Sequence, residues 1–304
     1  WPKVRAGEDK NIFPFSNEAD VLFNSVHLYE ICVLKKYVEP LLENITPEEP
    51  EYGDAARMLN FLRFFKTIED DSVIVAETST LPYAVRITGD AHVTIYNRLK
   101  GGYFIAALPS KFNQKVHDIV SQVYTPIELA ENVMQTTLQN ANPIIHPAVS
   151  LCNVALIERT HGNFLFYEEG VTEGVGRIIE ALDKERIAIG KALGIEVIPD
   201  PELGIKQGYQ AVNNYSTGYS EAPGFKGIMA QSQLDYRYFN EDAGYGLVFF
   251  TDLADKLGVE VPNMKAVLRL SSVVMGRNYE EEKARTMESV GLDGYSPEEP
   301  KKVL

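Results

Sequence analysis

Three short stretches carry the side chains that could do chemistry. In NANPIIHPA (140–148), His146 stands between Pro143 and Pro147. Proline fixes its own φ and restricts the residue before it, so this imidazole is held firmly. Histidine is the side chain suited to proton transfer near neutral pH. The chain has four others, His27, His92, His117 and His161; the flanking prolines single out His146. With Pro147 as the first residue of a helix, PAVSLCNVALIER, the ring lies at a helix N-terminus. The partial positive charge there disfavours imidazolium, and a carboxylate partner would act in the opposite sense.

The second stretch is LDYRYFNEDAGYGLVFF (234–250), where Arg237 and Asp242 lie among Tyr236, Tyr238, Phe239 and Tyr245. Arginine grips a carboxylate through two parallel hydrogen bonds. An aspartate in aromatic surroundings can orient and charge-stabilise an imidazole. The same residues also read as a surface turn with an ion pair of little worth. The third is AETSTLPYAVR (76–86), with the hydroxyls of Thr78, Ser79 and Thr80 and the anion-binding fork of Arg86. It leaves an expected strand at its carboxyl end, where open α/β sheets bind ligands. A plain strand-to-turn exit broken by Pro82 accounts for it equally well.

The elements that must position these residues change character along the chain. NEADVLFNSV (17–26), DSVIVAET (71–78) and GGYFIAALPS (101–110) are short apolar runs fit for buried strands, and AHVTIY (91–96) alternates as a strand does. VLKKYVEPLLEN (33–44) has helical spacing, whereas the acidic, proline-bearing ITPEEPEYGDAAR (45–57) reads as a surface loop or insertion. Buried strands with a helix predict one layer of an open, mostly parallel sheet. After residue 111 apolar residues recur every three or four positions, and Gly194, Gly258 and Gly276 stand where helix C-caps belong. The expected organisation is an α/β segment over 1–110 followed by an all-helical domain over 111–304.

Composition narrows the partners. In 304 residues there are 29 Lys and Arg against 43 Asp and Glu, a net charge of −14. Such a surface repels phosphate backbones and anionic lipid, so neither nucleic acid nor a membrane is expected. Cys32 and Cys152 show no metal-type spacing and no support for a disulfide; reduced thiols in a cytoplasmic protein, without a metal, are expected. No apolar run is long enough to cross a bilayer.

Taken together and in this order, NPIIHP, RYFNEDAGYGL and ETSTLPYAVR resemble signatures of the opine dehydrogenases, the octopine/nopaline dehydrogenase-like family. The resemblance runs from about residue 71 to 296. It implies a Rossmann-like dinucleotide-binding domain followed by a helical catalytic domain. It also implies an enzyme that joins an amino acid to a 2-oxo acid and reduces the resulting imine with NADH or NADPH. His146 would be the acid/base, Asp242 its carboxylate partner, and Arg237 the clamp for a substrate carboxylate. Asn142, Tyr238 and Arg86 would also contact the substrate. Val26, Glu77 and Thr78, at or near carboxyl ends of expected strands, would contact NAD or NADP. A homodimer is expected.

The chain departs from the pattern in two respects. A strand expected between residues 44 and 60 is not evident; the acidic loop and the helical-looking ARMLNFLRFF stand there instead. The glycine-rich turn is missing as well. A dinucleotide-binding fold opens with a strand, a GxGxxG turn and a helix, and no GxGxxG occurs here. GVTEGVG (170–176) spaces its glycines differently and lies in the helical part. With Trp1 in place of an initiating Met, the expectation is a chain lacking its first βαβ unit. A ketopantoate-reductase-like or glycerol-phosphate-dehydrogenase-like reductase would place a lysine at the chemical step, and neither NPIIHP nor RYFNED has one. An amino- or oxo-acid sensor without a cofactor site remains the alternative from another class.

Overall fold

The computed structural model describes Lys10 and residues 30–63, 74–89, 92–124 and 126–290. The expected strand over 17–26, and Val26 with it, lie outside the described residues. The chain divides into two compact units, Trp1–Val73 and Ile74–Leu304. In the first, α1 (Glu30–Glu43) and α2 (Tyr52–Leu62) pack on each other. α2 occupies much of the segment read as a loop. Ala55 and Leu62, seven residues apart on one helical face, are buried and outweigh the acidic composition before them.

The second unit contains every candidate site residue named above except Val26. Among the described residues its larger sheet has three strands in the order β1 (Val75–Thr78), β4 (Tyr103–Leu108), β5 (Ile127–Leu129). β4 is buried along almost its whole length, as its unbroken apolar run predicts. Among the described residues β4 pairs parallel with β5 but antiparallel with β1, so this part of the expected mostly parallel sheet is mixed. The chain leaves β1 into a two-stranded antiparallel ribbon, β2 (Tyr83–Gly89) and β3 (His92–Arg98), and returns from it into β4. A parallel return needs a crossover connection, usually helical, and a ribbon supplies none. β1 is also largely exposed rather than buried, with Val75 49% accessible.

After α3 (Asn113–Val120) and β5 the chain is helical: α4 (Val133–Gln139), α5 (Asn142–Cys152), α6 (Val154–Thr160), α7 (Glu173–Leu193), α8 (Asp200–Gln207), α9 (Val248–Leu257) and α10 (Pro262–Met275). The three glycines expected as C-caps, Gly194, Gly258 and Gly276, adopt positive φ after α7, α9 and α10. One large core unites α4, α5, α7, α9 and α10, with Ile144, Val149, Ile179, Phe249, Leu253 and Leu268 almost fully buried. Burial of each such side chain contributes about 1.5–3 kcal/mol. The sheet packs on this body through α4, which contacts β1 and β4, so the break in contacts falls at residue 73 rather than at the change of pattern near 110.

The start of α5 differs from expectation. The helix begins at Asn142, with Pro143 in its first turn and Pro147 inside it. Both prolines suit a helix entrance, and the earlier one takes it because a first-turn residue needs no backbone donor. His146 therefore sits one turn in, on the buried face with Ile145 and Val149, rather than at the helix mouth.

Candidate functional site

Two segments remote in sequence meet at His146. It is 4% exposed, and its Nδ1 lies 2.8 Å from Asp242 Oδ2. Asp242 opens a single π-helical stretch, Asp242–Leu247, inserted before α9. There Gly246 N–H reaches back to the Glu241 carbonyl at 3.0 Å, the wider ring that defines such a turn. A Cβ on Gly246 would come within 2.5 Å of Pro143 Cγ, so only glycine lets this turn close on the entrance of α5. That contact fixes the reach between the carboxylate and the imidazole.

The remaining contacts set the ring. A carboxylate can only accept, so Asp242 holds the proton of His146 on Nδ1. Nε2 is then the acceptor of the Tyr167 hydroxyl at 2.9 Å. Tyr238, 2% exposed, stacks on the imidazole with centroids 4.0 Å apart at 24°. Phe166 approaches the imidazole edge-on at 6.1 Å from the same side, its ring 4.8 Å from that of Tyr238. Tyr167 escaped the sequence reading. It sits in an irregular segment, FLFY, with no motif, and only the fold brings it beside residue 146.

His146 opens onto a cavity of about 450 Å³ bordered by Thr78, Tyr83, Asn142, Tyr167 and Arg237. A second cavity of about 280 Å³ shares Thr78, Asn142 and Arg237 and adds Glu77, Asp242 and Arg285. Arg237 is exposed at this shared border, its guanidinium 5.6 Å above the Tyr238 ring. Asn142 donates its backbone N–H to Asn140 Oδ1. Tyr238 lies beneath His146 rather than on the cavity wall. Glu77 accepts from the hydroxyls of Thr136 and Thr137 and so ties β1 to α4, while Thr78 donates to the Thr80 carbonyl. Arg86 lies in β2 opposite Thr94; its side chain is outside the described part.

A second polar cluster borders the larger cavity. Arg186 and Asp183 on α7 are both fully buried, with Arg186 Nε donating to Asp183 Oδ1 at 2.7 Å. Asp183 Oδ2 accepts from the Asp200 backbone N–H and the Tyr215 hydroxyl. Tyr219 donates to Asp200 Oδ2. Burial, and then the neighbouring Asp183, push the Asp200 carboxyl up to about 6, against the opposing pull of Tyr219 and Arg186.

Among the described residues no glycine-rich strand-to-helix turn offers a cradle for a dinucleotide pyrophosphate, so no residue is assigned to that end of a cofactor. None of the described helices is long and apolar enough to cross a membrane.

Residues 129–275 match the family model described as NAD/NADP octopine/nopaline dehydrogenase, alpha-helical domain. Over 245 residues the chain is 32% identical to an opine dehydrogenase of Arthrobacter sp. (strain 1C), covering 80% of this chain and 67% of that protein. It is 27% identical over 223 residues to Protein ocs of Agrobacterium tumefaciens (strain Ach5), covering 73% and 61%. Its fold matches octopine dehydrogenase in complex with NADH and agmatine at a TM-score of 0.55 and 14% identity, covering 74% and 66%. The chain thus spans roughly three fifths to two thirds of the length of these relatives.

Proposed function

The chain belongs to the octopine/nopaline dehydrogenase family, and on that premise we propose that it serves the NAD(P)H-dependent condensation of an amino acid with a 2-oxo acid. The amine attacks the ketone carbon, water leaves, and the imine is reduced to a secondary amine. The reduced nicotinamide supplies the hydride; the residues described here bind, orient and move protons.

The observation that carries this reading is the His146–Asp242 pair, closed at 2.8 Å, opening on a cavity that Arg237 also borders. Attack needs an unprotonated amine, and departure of water needs a proton on the leaving oxygen. His146 Nε2 serves both steps, taking a proton from the ammonium and returning one to the hydroxyl, with Tyr167 as its hydrogen-bonded neighbour. Asp242 keeps the ring in the tautomer that leaves Nε2 free to accept, and stabilises the imidazolium while it lasts. Tyr238 holds the ring plane by stacking. Arg237 grips a substrate carboxylate, and Asn142 and Thr78 border the same space; Arg86, Glu77 and Val26 keep the substrate and cofactor roles stated above.

The test mixes protein, an amino acid, a 2-oxo acid and NADH or NADPH, and follows nicotinamide absorbance. Turnover that depends on both acids supports the proposal. Retained binding of the acids without turnover for any pair overturns it in favour of a binding module. Arg237→Lys should mainly raise KM for the carboxylate substrate, because an ammonium cannot reproduce the two-pronged grip; an unchanged KM counts against the clamp. A cytoplasmic homodimer belongs to the same proposal. The exposed Leu270 and Val273 on α10 support the dimer, and sedimentation equilibrium checks it.

A further inference from the structure

Both ring nitrogens of His146 are already engaged. Nδ1 is held by Asp242 at 2.8 Å and Nε2 by the Tyr167 hydroxyl at 2.9 Å. The ring is buried, with Tyr238 stacked on it at 4.0 Å. A group in the cavity that exchanges a proton with this imidazole must therefore displace the tyrosine hydroxyl or use it.

Displacement is opposed by the packing around Tyr167. Its segment is pinned by the backbone: Phe166 donates its N–H to the Ile228 carbonyl at 2.8 Å, and the Phe164 carbonyl accepts from Ala230 at 2.9 Å. The Tyr167 ring stacks on Phe225 at 4.2 Å and 15°, and stands perpendicular to Phe166 at 5.0 Å. Phe225 closes the short turn Pro223–Phe225 and stacks in its turn on Tyr209 at 4.9 Å. A ring wedged in this way cannot swing aside without opening the packing on every side. Tyr167 is 4% exposed, yet it borders the same cavity as His146.

Use of the hydroxyl meets no such obstacle, because a hydroxyl donates one hydrogen bond while accepting others. Resting on the function proposed above, we propose that Tyr167 is a further catalytic residue, the relay through which His146 exchanges protons with the substrate. In the first step the substrate ammonium gives a proton to Tyr167 Oη as Oη passes its own to Nε2. The amine is left neutral, and the imidazolium is held by Asp242. Once the amine has added and the adduct stands as the neutral carbinolamine, the direction reverses. Nε2 returns its proton to Oη, and the Oη proton goes to the carbinolamine hydroxyl. The C–O bond breaks with its electrons on oxygen, water leaves, and the nitrogen lone pair forms the C=N bond. Tyr167 ends each step neutral, so no tyrosinate has to form at a pH well below the ordinary phenol range.

The test counts the protons in motion. Rates are followed by nicotinamide absorbance in mixtures of H2O and D2O, with an amino acid and 2-oxo acid pair that the protein turns over. In the wild type the relay moves two protons together, so the rate should fall along a curve as the deuterium fraction rises. In Tyr167→Phe the uncovered Nε2 meets the substrate directly. Its rate should be about tenfold lower and fall along a straight line. A straight or flat plot in the wild type overturns the relay, as does a curve that persists unchanged in Tyr167→Phe. A crystal structure with that amino acid bound decides without turnover or variant. The amine nitrogen should lie within hydrogen-bond reach of Tyr167 Oη, with Oη still on Nε2; an amine directly on Nε2, with the hydroxyl displaced, overturns the relay. Absence of turnover with every pair removes the enzymatic reading itself, whereas turnover with a straight plot removes the relay alone.

Discussion

The cavity is flanked by two buried ionisable clusters that handle charge in opposite ways. At His146 one carboxylate faces one imidazole, each with a hydrogen-bonded partner, and the imidazole ends on a tyrosine hydroxyl. At Asp200 two carboxylates face one guanidinium, which is bonded to Asp183 alone of the two, and the surplus charge lies at the wall. The first arrangement can pass a proton with little change in its surroundings. The second keeps a buried surplus of charge, which is unfavourable. A balanced pair suits chemistry, and an unbalanced one makes stability depend on pH.

Substitutions should separate the two. The largest effect is expected from His146→Ala, a fall in kcat of about 10²–10⁴-fold, the range for loss of a general acid/base. Near-normal turnover in a folded variant would end the acid/base assignment. Next comes Arg186→Met, which strands Asp183 without its partner. We expect a loss of about 3–5 kcal/mol in urea unfolding. His146→Ala should change stability far less, and a reversed order of the two in unfolding would erase the contrast.

A third prediction uses pH. The Asp200 carboxyl lies at about 6 in the fold against an ordinary 3.8. Between those values the native state holds a proton that the unfolded chain has released, so stability falls as pH rises through the window. The penalty is complete above about 6 and absent below the ordinary value. Unfolding free energies of wild type and Asp200→Asn at pH 4.5 and 7 should therefore shift relative to each other, wild type gaining on the acid side, on the order of 1–3 kcal/mol. A pH-independent difference would remove the surplus-charge account. The smallest effect is expected from Tyr167→Phe, roughly a tenfold loss in kcat/KM from deletion of one buried hydroxyl bond. No change would make Tyr167 a packing residue only.

The sequence disclosed one cluster far better than the other, for a physical reason. His146, Arg237 and Asp242 sit in short segments of unusual composition, so local reading singled them out, and the family resemblance paired His146 with Asp242, 96 positions away and in hydrogen-bond contact in the fold. The capping glycines and the unbroken apolar run of β4 were legible because caps and buried strands are dictated locally. Asp200 carries no such mark: its character comes from Asp183, Tyr219 and Arg186, which only packing assembles. Tyr167 is hidden in the same way. The entrance of α5 was misplaced because Pro143 and Pro147 satisfy the same local rule, and the strand pairing because an apolar run does not specify its neighbour's direction. Residues 45–57 read as loop from their acidity, yet α2 begins at Tyr52, where buried apolar spacing decides.

The π-helical turn at Asp242–Leu247 makes the frame of the chain matter to a single residue. Each residue of an α-helix turns the chain by about 100°. Deleting Ala243 would leave the downstream chain two incompatible choices. It could keep Phe249, Phe250 and Leu253 seated in the core and swing Asp242 away from the imidazole. It could instead keep the carboxylate in place and lift those three side chains out. A one-residue deletion here is therefore a choice between an unaligned histidine and an unpacked α9, while the neighbouring loops face no such choice.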